Sequence, residues 1–247
     1  MHFGNHVNYW DVDNGLIDVS RGSTSGLTIN LEDSRQLRFD PHRSAIIVID
    51  MQNFFGSEKL GRGPAARDIV PNLNRLIAGG RAAGLRVAWV NWGNREDLAN
   101  LPPSVLYTFG KHQNSPGIGG PLPDSLGPAL LKDTWSTELL DELNVASDSH
   151  DWWVDKYRLS GFAGTVLDAA LRAAGIQTLF FTGVNIDQCV WSTFLDATNL
   201  GYDCVLVKDC AATSSPSFCY DAVVYNIARQ TGLVTTADKF CAVANPH

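Results

Sequence analysis

One cysteine in this sequence, Cys189, stands where a thiol can act as a nucleophile. A β-rich apolar run at residues 178–182 stops at Gly183, and an amphipathic helix begins a few residues later and ends at Gly201. Cys189 falls in the first turn of that helix, where unpaired N–H groups and the positive end of the helix dipole favour the thiolate. Such a thiolate can attack a carbonyl carbon, and nearby N–H groups can hold the resulting oxyanion. Taken alone, a cysteine is more often a buried, inert side chain.

Two charged residues follow two other predicted strands. The apolar run at residues 44–50 ends in Asp50, and Lys156 comes directly after a short predicted strand at residues 152–155. Singly, Asp50 can cap a turn and Lys156 can be a solvated loop residue. In a parallel sheet, the ligand crevice lies outside the carboxyl ends of the strands, near the point where the strand order reverses. We expect the three strands to lie in the middle of the sheet, so that Asp50, Lys156 and Cys189 converge.

The three residue types fit one reaction. A thiol with an ordinary pKa of about 8.5 is mostly protonated at neutral pH and needs a base or a nearby cation. Asp50 can accept the thiol proton and then protonate a leaving nitrogen, while Lys156 orients the carboxylate and stabilises the ionised sulfur. The backbone N–H groups of Asn185 and Cys189 are placed to receive the oxyanion. Attack gives a thioester, which water cleaves with Asp50 as the base.

An alternation of strands and helices must position these residues. Strands are predicted at residues 44–50, 85–90, 152–155, 178–182, 204–207 and 233–235. Helices are predicted at residues 68–83, 165–174 and 216–230, and in the segment that ends at Gly201. Right-handed crossovers then give a doubly wound, mostly parallel six-stranded sheet with helices on both faces, a Rossmann-like three-layer α/β sandwich. Residues 95–134 show little periodicity, and a segment of this length is expected to cover or wall a site.

The first forty residues differ from the rest of the chain. Residues 1–40 are predicted to form an N-terminal arm, and residues 41–247 the main domain. An alternating stretch at residues 27–31 predicts one short strand in the arm. Three aromatic residues within the first ten distinguish it from a disordered tail. We therefore expect the arm to pack on the body or on a neighbouring subunit, and the protein to be a homo-oligomer.

The composition excludes several classes of protein. The 247 residues are 45% hydrophobic and 18% charged, which suits a globular chain with an ample core. A formal net charge of −7 argues against nucleic acid as a partner. No apolar run approaches the roughly 20 residues that a membrane span needs, and the first residues lack the features of a signal peptide. Five cysteines without a CxxC pair predict free thiols in a reducing cytoplasm.

Three segments together resemble the isochorismatase-like cysteine hydrolase superfamily. They are Ile-Val-Ile-Asp-Met-Gln-Asn at residues 47–53, Lys-Tyr-Arg-Leu-Ser-Gly-Phe at residues 156–162 and Thr-Gly-Val-Asn-Ile-Asp-Gln-Cys-Val at residues 182–190. The resemblance extends over roughly residues 40–240. It implies that Asp50, Lys156 and Cys189 form the catalytic triad of the family, and that the peptide bond between Val184 and Asn185 is cis.

Differences between this sequence and the motifs of individual superfamily members reduce the number of expected activities. Nicotinamidases carry a metal-binding Asp-x-His after the second strand, whereas this chain has Asn-Trp-Gly-Asn at residues 91–94, which argues against nicotinamide and against a metal. Isochorismatase proper lacks the nucleophilic cysteine, so Cys189 argues against that activity. The Lys-x-Arg-x-Ser-Gly-Phe pattern and the asparagine after the second strand are similar to ureidoacrylate amidohydrolases.

Several further side chains are candidates for the substrate pocket. The amides of Asn91 and Gln188 can hydrogen-bond an amide or a ureide, and the guanidinium of Arg158 can bind a carboxylate as a fork. Candidates for the apolar walls are Phe54, Trp92, Tyr157, Phe162 and Trp191. Ordinary packing of the aromatic rings and a surface salt bridge of Arg158 fit the sequence equally well.

No metal and no cofactor are expected, because the six histidines form no i, i+4 pair. The other four cysteines are expected to be structural thiols, and Asp187 to cap the helix. The sequence therefore predicts a metal-independent amidohydrolase that cleaves a C–N bond of a small amide or ureide through a thioester. Two alternatives stay open: a lactamase or other cyclic-amide hydrolase of the same fold, and a non-catalytic binding protein. The expected partners are the small substrate and water, with no nucleic acid and no membrane.

Overall fold

The computed structural model describes residues 1–111, 115–146 and 151–244. In chain order the strands are β1 His2–Gly4, β2 Tyr9–Asp13, β3 Leu16–Asp18, β4 Leu27–Asn30, β5 Gln36–Phe39, β6 Ser44–Ile49, β7 Arg86–Trp92, β8 Trp152–Lys156, β9 Thr178–Val184, β10 Asp203–Ala212 and β11 Leu233–Thr235. The α-helices are α1 Asn53–Gly56, α2 Pro64–Asp68, α3 Val70–Ala83, α4 Pro103–Gly110, α5 Leu167–Ala173, α6 Trp191–Asn199, α7 Ser217–Asn226 and α8 Ala237–Ala244.

Strands β6 to β11 form one parallel sheet in the order β11–β10–β9–β6–β7–β8. The central strands β6 and β9 are buried along their whole length. Because both faces of these strands are covered, their sequences are continuous apolar runs rather than alternating patterns. The prediction of a doubly wound, mostly parallel six-stranded α/β sheet is confirmed.

The strand that ends in Lys156 lies at the edge of this sheet, not in its middle. From β6 the chain moves outward through β7 to β8, and it then returns to β9 on the other side of β6. The predicted central position of the Lys156 strand is therefore wrong, because two successive outward steps leave β7 between it and β6. The strand order reverses between β6 and β9, and Asp50 and Cys189 follow these two neighbouring strands.

Two hydrophobic clusters cover the two faces of the sheet. On one face, α5, α6 and α7 pack against alternate residues of the strands, such as Ile47, Val90 and Phe181. On the other face, α3 and α8 pack against the intervening residues, such as Val48 and Trp89. This alternation along each strand is the period of two that a pleated sheet requires, and it separates the molecule into three layers.

Residues 1–40 form a second, five-stranded sheet in the order β1–β2–β3–β5–β4. Its apolar side chains, including Ile17, Leu37 and Phe39, are buried in the cluster that contains α3 and α8. The sequence predicted one strand among the first forty residues, at residues 27–31, whereas the structure has five. Strands of three to five residues are too short to show a clear alternation of apolar and polar residues in the sequence.

Buried and half-buried ion pairs attach this small sheet to the C-terminal part of the chain. The guanidinium of Arg21 lies 2.6 Å from the carboxylate of Asp203, and both side chains are buried. The indole of Trp10 donates to the same carboxylate. Glu32 pairs with Lys208 and Lys239, and these two ammonium groups lower the pKa of its carboxyl group. The small sheet is therefore fixed to the body of its own chain.

Two helices of eight residues were not predicted, nor were the two short helices α1 and α2. α4 lies within the segment expected to be irregular, and none of its eight residues is fully buried. Because α4 covers other elements without entering the core, its apolar residues do not show the usual helical period. The second, α8, closes one face of the large sheet through the buried ring of Phe240.

Replacing Asp203 with alanine is expected to lower the free energy of unfolding by about 3–5 kcal/mol, because the Arg21 guanidinium stays buried without its carboxylate. Urea unfolding followed by circular dichroism measures the loss. Lys132→Ala is the matched control, since it removes a half-exposed pair with Asp155 and should cost less than about 1 kcal/mol. A small loss in both variants would contradict the structural importance of the buried pair.

Candidate active site

Asp50 is completely buried at the carboxyl end of β6. Its backbone N–H donates to the carbonyl of Val90, and its carboxylate accepts the backbone N–H of Trp92 at 3.2 Å. The φ angle of Asp50 is 53°, in the left-handed region, which costs a non-glycine residue on the order of 1 kcal/mol. The neighbouring Gly183 of β9 has no Cβ, and one placed there would lie 2.0 Å from the carbonyl oxygen of Ile49. Glycine therefore lets the two strands approach closely beside the carboxylate.

Lys156 reaches from the edge of the sheet to the centre of the site. Its Nζ atom lies 3.0 Å from Oδ2 of Asp50 and 3.3 Å from Sγ of Cys189, and it donates to the carbonyl of Arg158 at 3.2 Å. On the way it crosses β7, where the ammonium lies 3.9 Å from the centre of the Trp92 ring. The indole thus supports the buried ammonium by a cation–π contact.

Cys189 lies in a π-helical turn, Ile186–Val190, that connects β9 to α6. The carbonyl of Asn185 accepts the N–H groups of Gln188 and Val190 and so closes this turn. The hydroxyl of Thr193 donates to the carbonyl of Cys189 at 2.6 Å. The side chain of Cys189 is 5% exposed. The turn therefore presents one nearly buried sulfur toward Asp50 and Lys156.

Burial keeps the thiol protonated. It raises the pKa of Cys189 to about 12, and the negative charge of Asp50 adds to the effect, while the ammonium of Lys156 opposes it. Burial also raises the pKa of the Asp50 carboxyl group, against the influence of Lys156 and of a hydrogen bond from Cys189. The position of Cys189 at the start of a helix predicted a lowered thiol pKa. That prediction is wrong in direction, because desolvation and a neighbouring carboxylate outweigh the helix dipole.

The turn that carries Cys189 is joined to the loop after β10. The peptide bond between Val184 and Asn185 is cis, as the resemblance implied. The side-chain carbonyl of Asn185 accepts the backbone N–H of Ser214 at 3.1 Å. The carboxylate of Asp187, expected to cap the helix, instead accepts the hydroxyl of Thr213. These bonds fix the backbone around the sulfur.

A cavity of about 590 Å³ opens beside this turn, which is the size of a site for a small molecule. Two of the predicted pocket residues line it, Phe54 and Gln188, and so does Asn185, which was predicted for the oxyanion hole. Helix α4 contributes Thr108 and Phe109 to another wall. The ring of Phe109 meets the ring of Trp92 edge to face, with centroids 5.0 Å apart.

Six predicted pocket residues do not line this cavity, namely Asn91, Trp92, Tyr157, Arg158, Phe162 and Trp191. Asn91 is buried between Val90 and Trp92, whose side chains share one face of the sheet, so alternation directs Asn91 to the opposite face. The ring of Phe162 packs against Tyr202, with centroids 5.8 Å apart.

Tyr157 and Arg158 stabilise the loop after β8. The hydroxyl of Tyr157 donates to the carbonyl of Gly164. One terminal nitrogen of Arg158 donates to the carbonyls of Asn100 and Tyr157 at 2.9 Å and 2.7 Å. The Trp191 ring stacks on Phe194 of the same helix. These contacts are with protein groups, which accounts for each side chain without a substrate.

One charged residue of the cavity, Arg62, was not predicted from the sequence. It lies between Gly61 and Gly63, and burial lowers the pKa of its guanidinium. A charged residue between two glycines was the signal available in the sequence, because glycines permit the tight turns that direct a side chain inward.

Among the residues that the structure describes, no three His, Cys, Asp or Glu side chains come close enough to hold a metal ion. No helix in the described ranges is long and apolar enough to cross a bilayer.

Known proteins share this sequence and this fold. Residues 44–239 match the isochorismatase domain family. The chain is 34% identical to ureidoacrylate amidohydrolase RutB of Klebsiella pneumoniae over 218 residues, which is 85% of this chain and 90% of the relative. A cysteine hydrolase from Pseudomonas syringae pv. phaseolicola 1448A is similar in structure, with a TM-score of 0.67, 24% identity and coverage of 83% of this chain and 93% of that one. The N-carbamoylsarcosine amidase of Thermoplasma acidophilum gives a TM-score of 0.61 at 28% identity, covering 79% of this chain and 97% of that one.

Trp92→Leu is expected to slow alkylation of Cys189 by iodoacetamide about tenfold at fixed pH. Loss of the ring frees the Lys156 ammonium from its position beside the sulfur and raises the pKa of the thiol further. Mass spectrometry of tryptic peptides follows the rate. Trp92→Phe retains a ring and should react within about threefold of the parent. Trp191→Leu removes an indole that does not contact Lys156, and an equal slowing in that variant would refute the role given to Trp92.

Asp50→Asn is expected to move the midpoint of the pH-dependent alkylation of Cys189 to lower pH. The carboxylate raises the pKa of the thiol and the ammonium lowers it, so neutralising the carboxylate leaves the ammonium unopposed. At neutral pH the variant should therefore react faster than the parent. Cys204, whose pKa burial raises to about 12, is the internal control and should not change. An unchanged or higher midpoint for Cys189 would show that Asp50 does not control the thiol.

Proposed function

This chain belongs to the isochorismatase family, and on that premise we propose that it is a cysteine hydrolase that cleaves the C–N bond of a small amide or ureide. One observation carries the proposal: Nζ of Lys156 lies 3.0 Å from the carboxylate of Asp50 and 3.3 Å from the sulfur of Cys189. A base, a cation and a nucleophile thus meet beside a cavity of small-molecule size.

In the first step the thiol attacks the substrate carbonyl. As the S–C bond forms, Asp50 takes the thiol proton, and the carbonyl π electrons move to oxygen. The ammonium of Lys156 compensates the negative charge that passes from the carboxylate to the sulfur and then to the oxyanion. Backbone N–H groups of Asn185 and Cys189 receive this oxyanion. Because the thiol is protonated at rest, a base must take up its proton during the attack.

In the second step the C–N bond breaks. Its electron pair goes to nitrogen, which takes the proton from Asp50 and leaves as ammonia or an amine. The product on the enzyme is a thioester from an amide, or an S-carbamoyl group from a ureide. Water then attacks this carbonyl with Asp50 as the base, and the proton passes to the departing sulfur. The carboxylic acid or carbamate leaves, and the thiol and the carboxylate are restored.

The relatives favour a ureide over a simple amide. The names ureidoacrylate amidohydrolase and N-carbamoylsarcosine amidase both denote enzymes that act on N-carbamoyl compounds. Ureide nitrogens donate hydrogen bonds and the ureide oxygen accepts them, and Gln188 and Ser214 offer neutral polar groups at the cavity. We therefore place acyclic ureides first among the substrates.

We also propose a domain boundary and a cellular compartment for the enzyme. Residues 44–239 carry the family match, so we assign the hydrolase domain to residues 41–247 and treat residues 1–40 as an addition that packs on it. All five cysteines are free thiols, which supports a reducing cytoplasm. Homo-oligomer formation, expected from the sequence, stays a prediction.

A screen of ammonia release over N-carbamoyl compounds, primary amides and lactams tests the function. The parent is expected to release ammonia from N-carbamoyl compounds, in the presence of EDTA as well as without it. Cys189→Ala should reduce turnover to background, and Asp50→Asn should reduce it by about 10² to 10⁴ because proton transfer is lost. Thermal unfolding checks that both variants are folded.

Mass spectrometry of the acid-quenched parent during turnover should show a carbamoyl group on Cys189. The matched control is Cys204→Ala, which removes a buried thiol inside β10 and should retain activity. Turnover that survives in Cys189→Ala would exclude the covalent mechanism, and activity confined to lactams would exclude acyclic ureides.

A further inference from the structure

Among the described residues that line the cavity beside the cysteine turn, one side chain is charged. The described walls consist of apolar residues, glycines, neutral polar residues and Arg62. No carboxylate and no second cation belongs to them. The buried groups beneath do not alter this balance, because the charges of Asp50 and Lys156 offset each other and the thiol is protonated. The described residues therefore give the cavity one positive charge, at Arg62.

Arg62 has no acidic partner among the residues that the structure describes. Its guanidinium lies 4.2 Å from the centre of the Phe54 ring, and one terminal nitrogen is 3.5 Å from the carbonyl of Phe54. By contrast, Arg67, five residues later, pairs with Glu58. A half-buried guanidinium without a carboxylate is costly, because desolvation disfavours its charge. A ligand anion would remove that cost.

The backbone around Arg62 is shaped to hold it toward the cavity. Gly61 and Gly63 both have left-handed φ angles, 61° and 69°. A Cβ on Gly63 would lie 2.2 Å from the carbonyl oxygen of Phe55, so only glycine fits there. A guanidinium nitrogen of Arg67 donates to the carbonyl of Arg62 at 3.1 Å. The stacked ring and the fixed loop together leave the edge of the Arg62 guanidinium to pair with a planar anion.

We propose that Arg62 binds a carboxylate of the substrate, so that the enzyme acts on anionic ureides or amides and discriminates against neutral ones. The proposal rests on the function assigned above, because it names the end of the substrate opposite the reacting carbonyl. A carboxylate matches the fork of the guanidinium in two parallel hydrogen bonds. The neutral amide or ureide end then lies at the cysteine turn, where Asn185 and Gln188 line the cavity.

This assignment replaces the one that the sequence suggested for Arg158. That guanidinium already donates to two backbone carbonyls of the loops around it, at 2.9 Å and 2.7 Å. Arg158 therefore stabilises the loop after β8, while Arg62 lines the cavity and has no such pair of acceptors. Arg62 is a specificity residue, since it touches the substrate away from the bond that breaks.

Matched substrates test the proposal. N-carbamoylglycine and N-carbamoyl-β-alanine carry a carboxylate, and isobutylurea replaces the carboxylate of N-carbamoylglycine by an isosteric neutral group. In Arg62→Met, kcat/KM for the better carboxylate substrate should fall about 100-fold, mainly through KM, because charged hydrogen bonds are lost. The value for isobutylurea should stay within about twofold. Arg62→Lys keeps the charge without the fork and should lose about tenfold on the carboxylate substrate.

Arg158→Met is the matched control. It removes the other candidate guanidinium, whose contacts are with the backbone carbonyls of Asn100 and Tyr157, so it should change both substrate classes by the same factor. A loss in Arg62→Met that is equal for carboxylate and neutral substrates would overturn the proposal. The same holds if the parent prefers isobutylurea.

Binding separates this inference from the function on which it rests. Isothermal titration of Cys189→Ala with each of the three ureas should give binding of a carboxylate compound, and Cys189→Ala/Arg62→Met should lose it. If the parent hydrolyses none of the three ureas, the proposed function is wrong for these compounds. The titration still tests whether Arg62 binds a carboxylate. If Cys189→Ala binds isobutylurea as tightly as the carboxylate compounds, the inference fails even where hydrolysis is observed.

Discussion

A buried ammonium holds the candidate site together. Taking such a group out of water costs several kcal/mol unless its charge and all of its N–H groups are matched. Lys156 is completely buried, and its ammonium is ion-paired with the carboxylate of Asp50 and donates to the sulfur of Cys189 and the carbonyl of Arg158. The face of Trp92 covers the ammonium on a further side. Removal of the carboxylate leaves the buried charge unmatched, and removal of either other acceptor leaves a buried N–H group without its partner.

The same burial sets the chemistry of the sulfur. A neutral thiol beside a carboxylate and an ammonium gives a site without net charge, which is the state that a dry environment favours. The sulfur then becomes nucleophilic only when a carbonyl is in place and its proton has somewhere to go. Arg62, outside this neutral set, supplies the positive charge that the cavity offers to a ligand. In the proposed enzyme, reaction and recognition thus use separate charges.

The sequence was sufficient for what depends on local pattern. Continuous apolar runs in β6 and β9 identified the centre of the sheet, and the positions of Asp50 and Cys189 at their ends followed from it. The placement of the Lys156 strand could not follow, because strand order depends on packing between distant segments. The pKa of the thiol also escaped prediction, since burial by residues far apart in the chain determines it. Arg62 was missed because nothing local shows that its guanidinium lacks a partner.

The attachment of the small sheet has a consequence for how the chain folds. The N–H of Glu32 donates to the carbonyl of Val234, and the hydroxyl of Thr235 donates to the carbonyl of Asn30. Asn30 thus finds its partner 205 residues later in the chain. Contacts between such distant positions form slowly, because the loop between them must close first. Residues 1–40 therefore cannot complete their packing until β11 has been synthesised, and a nascent polypeptide stopped before β11 would leave their apolar face open to aggregation.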